Sequence, residues 1–222
     1  KLRNVYSFFT IYANIDGFDP SRHPRAGKPA HVLDRWMSSE LALANKAIVE
    51  QMDKYLVYDA AQSLIALTES LSNWYVRRSR ERFWATGDAD HVADKREAYR
   101  TLFDVLVTIA KMAAPFVPFL ADEIYRGLVP PFFPDAPVSV HLCDFPTPVE
   151  GDIDETLSKE MGDVRSVVSL GLQVRTASKL KVRQPLGSAT IIVGSSAKDG
   201  IEKNAALIEE ELNATPRVVG PD

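Results

Sequence analysis

Arginine and aromatic side chains are concentrated in one short segment of the chain. Residues 73–84 read N-W-Y-V-R-R-S-R-E-R-F-W, with four arginines against one glutamate, a net charge of +3 in a chain whose net charge is −4. Guanidinium groups pair with phosphate, and unstacked bases lie on aromatic rings. The segment therefore predicts contact with single-stranded nucleic acid. The same pattern is also typical of a helix end at which the arginines pair with nearby acids and the aromatic side chains pack in the core. The residues alone leave both interpretations open.

A helix that turns about 100° per residue separates this segment into two stripes. The residues expected to face outward and contact RNA are Asn73, Arg77, Arg80 and Trp84. The second stripe continues the core-facing line of Leu64 and Leu67, and its members are Leu71, Trp74, Arg78 and Arg82. We expect Trp74 and Arg78 either to contact RNA or to brace the helix, while Arg82 could face either way.

A second basic tract lies near the end of the chain. Residues 164–198 contain no acidic residue and have a net charge of +6. Within them, K-L-K-V-R at 179–183 alternates charged and apolar residues, which predicts a strand with its basic side chains on one face. The candidate RNA contacts here are Lys179, Lys181 and Arg183. An edge strand protected by lysines, or a domain junction, would explain the tract equally well.

The sequence contains no recognisable catalytic or metal-binding constellation. It has no glycine-rich phosphate loop, and no serine or cysteine with an evident base partner. His141 and Cys143 are too few for a metal site without a second pair nearby. We therefore predict no catalytic residue, metal site or cofactor in this chain, which disfavours a free-standing enzyme. Cys143 is the one cysteine, and no apolar run is long enough to span a membrane, so a reducing, cytoplasmic setting is expected.

Hydrophobic periodicity predicts a mainly α-helical chain with a small α/β piece at its end. The expected helices cover about 2–13, 32–54, 59–84, 94–112, 118–127, 157–172 and 201–213. Asp94 is expected to be the N-cap of the fourth helix, and Pro118 to lie in the first turn of the fifth. The expected strands are 179–183 and 189–194, and 138–142 is expected to be a short strand or an extended segment. The expected domains are a helical bundle at 1–150, a helix with a basic junction at 151–186, and an α/β segment at 187–222.

Several motifs, in order along nearly the whole chain, resemble one protein family. N-W-Y-V-R-R-S-R-E-R-F-W resembles the signature helix in the anticodon-binding domain of isoleucyl-tRNA synthetases, and A-P-F-V-P-F-L-A-D-E-I-Y resembles a motif that these share with the valine and leucine enzymes of class I. The other matching stretches are N-V-Y-S-F-F-T-I-Y-A-N-I-D-G-F-D-P, L-D-R-W-M, S-V-H-L-C-D-F-P, V-V-S-L-G, K-V-R-Q-P-L and E-E-L-N. Glu81, which interrupts the arginine run, departs from the pattern.

The resemblance implies an anticodon-binding helical bundle that docks on the anticodon stem and loop of tRNA(Ile). Carried onto the matching positions, it implies that the candidate residues named above contact the tRNA, and it adds Gln184 to the basic set, which either grips the tRNA or holds the domain junction. The parent enzyme would use ATP to attach isoleucine to tRNA, through catalytic and editing domains upstream of this segment. Zinc, which the family carries elsewhere, would also lie outside it. The chain does not start with Met and opens inside a helical pattern, which also indicates a piece of a longer protein. The alternatives are the equivalent domain of a valyl- or leucyl-tRNA synthetase, and a helical protein-interaction module.

Overall fold

The computed structural model describes residues 1–87 and 89–220, and they are mainly helical, as the sequence predicts. The chain folds into two compact units, Lys1–Ile153 and Asp154–Asp222. The sequence suggested three segments. In the structure, the last long helix and the strands that follow it belong to the same compact unit.

The first unit is a helical bundle. Its helices are α1 (Leu2–Asp16), α2 (Val32–Asp53), α3 (Val57–Ser70), α4 (Arg80–Trp84), α5 (Ala89–Ala113) and α6 (Pro118–Leu128). A π-helical segment, Leu71–Val76, continues α3, and 3-10 turns lie at Val140–Leu142 and Glu150–Asp152. Helix α5 packs against the other five helices of this unit, so the core lies around α5.

Local chemistry explains where several of these helices begin and end. Gly17 ends α1 in the left-handed conformation (φ 63°), which glycine adopts without a Cβ clash, and so α1 extends past its predicted end to Asp16. The His31 side chain accepts a hydrogen bond from the Leu33 N–H and caps α2. Pro118 begins α6, where its missing N–H leaves no intrahelical bond unmade, which confirms the prediction.

The second unit combines helices with a two-stranded parallel sheet. Its elements are α7 (Glu155–Ala177), β1 (Leu186–Ile192), α8 (Ser195–Lys203), α9 (Ala205–Leu212) and β2 (Ala214–Val219). Strands β1 and β2 pair in parallel, with Leu186 opposite Ala214 and Ile192 opposite Val219. The strand predicted at 189–194 is confirmed by β1. The short helix predicted at 201–213 is two helices, and β2 was not predicted.

Two predicted strands and one predicted cap are wrong. The segment 138–142 forms a 3-10 turn, because the Ser139 hydroxyl (2.6 Å) and the Val140 N–H (3.0 Å) both donate to Asp122 Oδ1 and hold the backbone against α6. The segment 179–183 is a turn, described below. Asp94 is not an N-cap, since α5 begins at Ala89 and Asp94 lies in its second turn.

None of the helices in residues 1–87 and 89–220 has the length and apolar character that a membrane crossing requires.

Candidate nucleic-acid interface

All four residues of the predicted outward stripe lie on the surface. Asn73, Arg77, Arg80 and Trp84, called the outer stripe below, are exposed, and half of the Trp84 surface (51%) is open to solvent. Within residues 1–87 and 89–220 no hydrogen bond or ion pair engages the Arg80 side chain. The stripe therefore offers guanidinium groups and an indole to an incoming ligand. Whether RNA is that ligand stays a prediction.

The helix that carries the outer stripe is not a regular α-helix. Residues Leu71–Val76 form a π-helical turn, which holds more residues per turn than an α-helix. The helix is interrupted again at Ser79, whose backbone lies at φ −88°, ψ 2°. These two irregularities change the helical register, so that Tyr75 is fully buried and Ser79 lies in the core, while the arginines around them alternate between surface and interior.

Arg82 points inward and forms the centre of a buried ion-pair cluster with Asp34, Asp94 and Tyr75. Its Nη1 and Nη2 donate to the two carboxylate oxygens of Asp34 at 2.9 and 2.7 Å. Its Nε and Nη2 donate to the carboxylate of Asp94 at 2.8 and 2.7 Å. The Tyr75 hydroxyl donates to Asp34 Oδ1 at 2.6 Å. The side chains of Arg82 and Asp34 are 10% and 0% exposed, and that of Asp94 is 38% exposed. The cluster therefore ties α4 to α2 in the interior of the bundle and to α5 at its rim.

Burial and mutual contacts shift the pKa values of Arg82, Asp94 and Tyr75 away from their usual values. Burial alone would lower the pKa of Arg82, but its hydrogen bonds to Asp34 and Asp94 outweigh burial and raise it. Burial alone would raise the pKa of Asp94, but the guanidinium of Arg82 lowers it below its usual range. Burial and then the charge of Asp34 raise the pKa of Tyr75 well above its usual value.

Aromatic contacts support the outer stripe from below. The buried Phe83 ring packs edge-on against Phe8 of α1 and Tyr99 of α5, with centroids 5.2 and 4.9 Å apart. The Trp84 ring lies 6.2 Å from that of Tyr12, which leaves its other side exposed. Because α4 is only five residues long, these contacts and the ion-pair cluster, rather than intrinsic helix stability, hold it in place.

The second predicted stripe is half-buried. Trp74 and Arg78 are both partly covered, and both make contacts inside the protein. Burial and then the positive charge of Arg77 lower the pKa of Arg78. Part of each side chain stays accessible, so whether these residues brace the helix or contact RNA stays a prediction.

The predicted basic strand is a turn that follows α7, and its four candidate residues are exposed: Lys179, Lys181, Arg183 and Gln184. Residues 179–184 are called the basic turn below. The Gln184 N–H donates to the Lys181 carbonyl at 3.0 Å, a bond that closes the turn. The segment does not pair as a strand, because the Arg175 and Asn213 side chains donate hydrogen bonds to the carbonyl groups of the turn that a strand would offer to a neighbouring strand.

Sequence reasoning missed two residues that organise these surfaces. In the sequence, Asp34 was noted only as part of the L-D-R-W-M stretch. It is buried together with Leu33 and Trp36, and its burial could not be predicted without knowing which cation pairs with it. Arg175 was counted in the sequence only as one charge of the basic tract, but its side chain is buried, with 4% of the residue exposed. A charged residue inside an apolar helical pattern was the available signal in both cases. In the described part of the chain, no group of three or more His, Cys, Asp or Glu side chains is placed to hold a metal ion.

Comparison with known proteins identifies the family. A family model described as the anticodon-binding domain of tRNA ligase matches residues 34–192. The isoleucine–tRNA ligase of Dehalococcoides mccartyi (strain CBDB1) is 43% identical over 213 residues, which are 96% of this chain and 21% of that protein. The isoleucine–tRNA ligase of Clostridium novyi (strain NT) is 41% identical over 221 residues, 100% of this chain and 20% of that protein. That of Chlamydia trachomatis serovar D is 40% identical over 212 residues, 96% and 20% respectively.

The chain thus spans about a fifth of the length of these curated relatives. The family match covers well over half of the chain, including the outer stripe and the basic turn. The chain belongs to the family of anticodon-binding domains of tRNA ligases.

Proposed function

We propose that this chain binds the anticodon stem and loop of tRNA(Ile) and positions that tRNA for an isoleucine–tRNA ligase of which it forms part. The outer stripe is the observation that carries the proposal, because it exposes two arginines, an amide and an indole on one irregular helix. Arginines are suited to the phosphates of an unpaired loop, and the indole to a base that has left its stack. The relatives named isoleucine–tRNA ligase support the choice of amino acid.

The parent protein would carry the chemistry. Its catalytic and editing domains, ATP and any zinc would lie in other parts of the longer polypeptide, in the cytoplasm where translation takes place. This chain alone would bind tRNA without aminoacylating it. Trp74 and Arg78 would brace the stripe or touch RNA at its margin, and the basic turn would contribute a second, weaker set of contacts.

Binding of a labelled tRNA(Ile) anticodon stem-loop, measured by fluorescence anisotropy over a range of salt concentrations, tests this proposal. We expect Arg80→Ala to weaken binding and to reduce the slope of log K against log salt by about 0.7–0.9, the value for one lost phosphate contact. Arg126→Ala on α6 is the matched control, because Arg126 is also exposed and its ion pair with Asp122 is long, at 3.8 Å.

Equal affinity of the two variants and the parent chain would contradict the proposal. Stem-loops of tRNA(Val) and tRNA(Leu) test the assignment to isoleucine, and tighter binding of either would move the chain to the corresponding enzyme. Failure to bind any stem-loop would leave protein recognition, for which arginine and tryptophan are also favoured, as the better explanation of the stripe.

A further inference from the structure

The basic turn begins with a lysine in an unusual backbone conformation. Helix α7 ends where the Leu180 N–H donates to the Arg175 carbonyl (2.9 Å) and the Lys179 N–H donates to the Thr176 carbonyl (3.0 Å). In this helix ending Lys179 takes a left-handed conformation, here φ 57°, which glycine adopts most readily. A lysine with an exposed side chain therefore occupies a position where local conformation favours glycine.

The buried Arg175 side chain fixes the rest of the turn. Its guanidinium donates to the carbonyl oxygens of Lys181 (3.0 Å), Gln184 (3.1 Å) and Asn213 (3.1 Å). The Asn213 side-chain amide in turn donates to the Val182 carbonyl at 3.1 Å. Three carbonyl groups of the basic turn are therefore held by side-chain donors from α7 and from the residue before β2, and the turn's basic side chains are exposed to solvent.

The charges on this turn lack internal partners. Lys179, Lys181 and Arg183 make no ion pair within residues 1–87 and 89–220. The nearest acids along the chain are Asp163 and Asp199, which lie outside the turn. Three like charges on one short, constrained turn repel one another, and a bound anion would relieve that repulsion. Residues 179–184 contain no aromatic residue on which a base could stack, so phosphate rather than base is the suited ligand.

We propose that the basic turn is a second RNA site, which binds backbone phosphates through Lys179, Lys181 and Arg183, and that Arg175 is its positioning residue. This inference rests on the proposed RNA-binding function. It adds a contact that is independent of the outer stripe and insensitive to base sequence. Arg175 contributes by holding the turn's carbonyl groups inward, so that they do not repel the phosphates.

Two binding measurements on the 222-residue chain test the inference. In the first, the slope of log K against log salt is measured for tRNA(Ile) transcript. Lys179→Ala, Lys181→Ala and Arg183→Ala together should reduce this slope by roughly 2–3. Arg175→Gln should reduce it by a similar amount although all three cations remain, and Arg175→Lys should restore part of the loss. Arg165→Gln, on the same helix, removes the same charge and should leave the slope near that of the parent chain.

A purely structural role of Arg175 gives a different result. Loss of folded protein lowers the apparent affinity but leaves the salt slope unchanged, because the remaining folded molecules make the full set of contacts. An unchanged slope in Arg175→Gln, with lower thermal stability, would therefore overturn the positioning role. Should that variant not fold, the triple alanine variant, whose changes are all on the surface, decides the phosphate site on its own.

The second measurement needs no RNA. Backbone amide NMR signals are followed while tripolyphosphate is added, and we expect shifts centred on residues 179–184 that disappear in the triple alanine variant. Shifts spread evenly over all lysine-bearing surfaces would overturn the inference. Because Arg80→Ala tests the outer stripe alone, failure of the proposed function and failure of the basic turn give distinguishable results.

Discussion

Replacement of Arg82 by glutamine is expected to destabilise the helical bundle far more than replacement of its exposed neighbour Arg80. The substitution removes the cation that makes four short hydrogen bonds to Asp34 and Asp94. Among the residues that the structure describes, the Asp34 carboxylate, 0% exposed, would then keep only the Tyr75 hydroxyl as a hydrogen-bond donor. Breaking a buried pair in this way costs about 3–5 kcal/mol, whereas a surface substitution such as Arg80→Gln changes stability by less than about 0.5 kcal/mol.

Tryptophan fluorescence during urea unfolding is the suitable assay. The chain has three tryptophans, all within Lys1–Ile153, so their emission reports on the bundle and not on the second unit. The double variant Asp34→Asn with Arg82→Gln removes both buried charges and should recover part of the loss, giving a coupling energy of at least about 1 kcal/mol. An Arg82→Gln midpoint equal to that of Arg80→Gln would refute the account of the cluster as the support of the outer stripe.

Three further changes test other parts of the structure. Burial lowers the pKa of His31, so the folded state favours the neutral ring. The stability that this gives is present above a pH of about 6.5 and is lost as the pH falls below that value. His31→Asn, which still caps α2, should remove this pH dependence from urea unfolding. Trp84→Ala should weaken stem-loop binding by about 1–3 kcal/mol with little loss of stability, and titration at fixed salt would contradict it if affinity were unchanged. Lys179→Gly should stabilise the second unit by about 0.5–1 kcal/mol in thermal unfolding, because glycine suits φ 57°. The same change should lower the slope of log K against log salt by about 0.7–0.9, because it removes one cation. A loss of stability would contradict the strain argument.

Sequence patterns predicted the parts of this fold that depend on local chemistry. The start of α6 at Pro118 follows from a residue that lacks an N–H, and α2 follows from sustained helical periodicity. The exposure of the outer stripe was also accessible, because Asn73, Arg77, Arg80 and Trp84 recur at helical spacing. All four are exposed even though Asn73 lies within the π-helical turn and the other three follow it.

The missed features depend on contacts between distant segments. Arg82 after the π-helical turn and Tyr75 within it both donate hydrogen bonds to Asp34, which is 48 residues away from Arg82 in sequence. The alternation of K-L-K-V-R predicted a strand, but the Arg175 and Asn213 side chains take the carbonyl groups that a strand would offer to a neighbour. Asp94 has the residue type of a helix cap, yet its carboxylate is bound by Arg82. Periodicity carries no information on any of these partners.

The tryptophan indole N–H signals test the central claim most directly. Trp36 is buried, Trp74 is half-buried and Trp84 is half-exposed, so one NMR titration contains its own internal controls. When the tRNA(Ile) anticodon stem-loop is added, the Trp84 signal should move the most and that of Trp36 should stay in place. An unmoved Trp84 signal at saturating stem-loop would contradict the claim that the outer stripe is the RNA-binding surface.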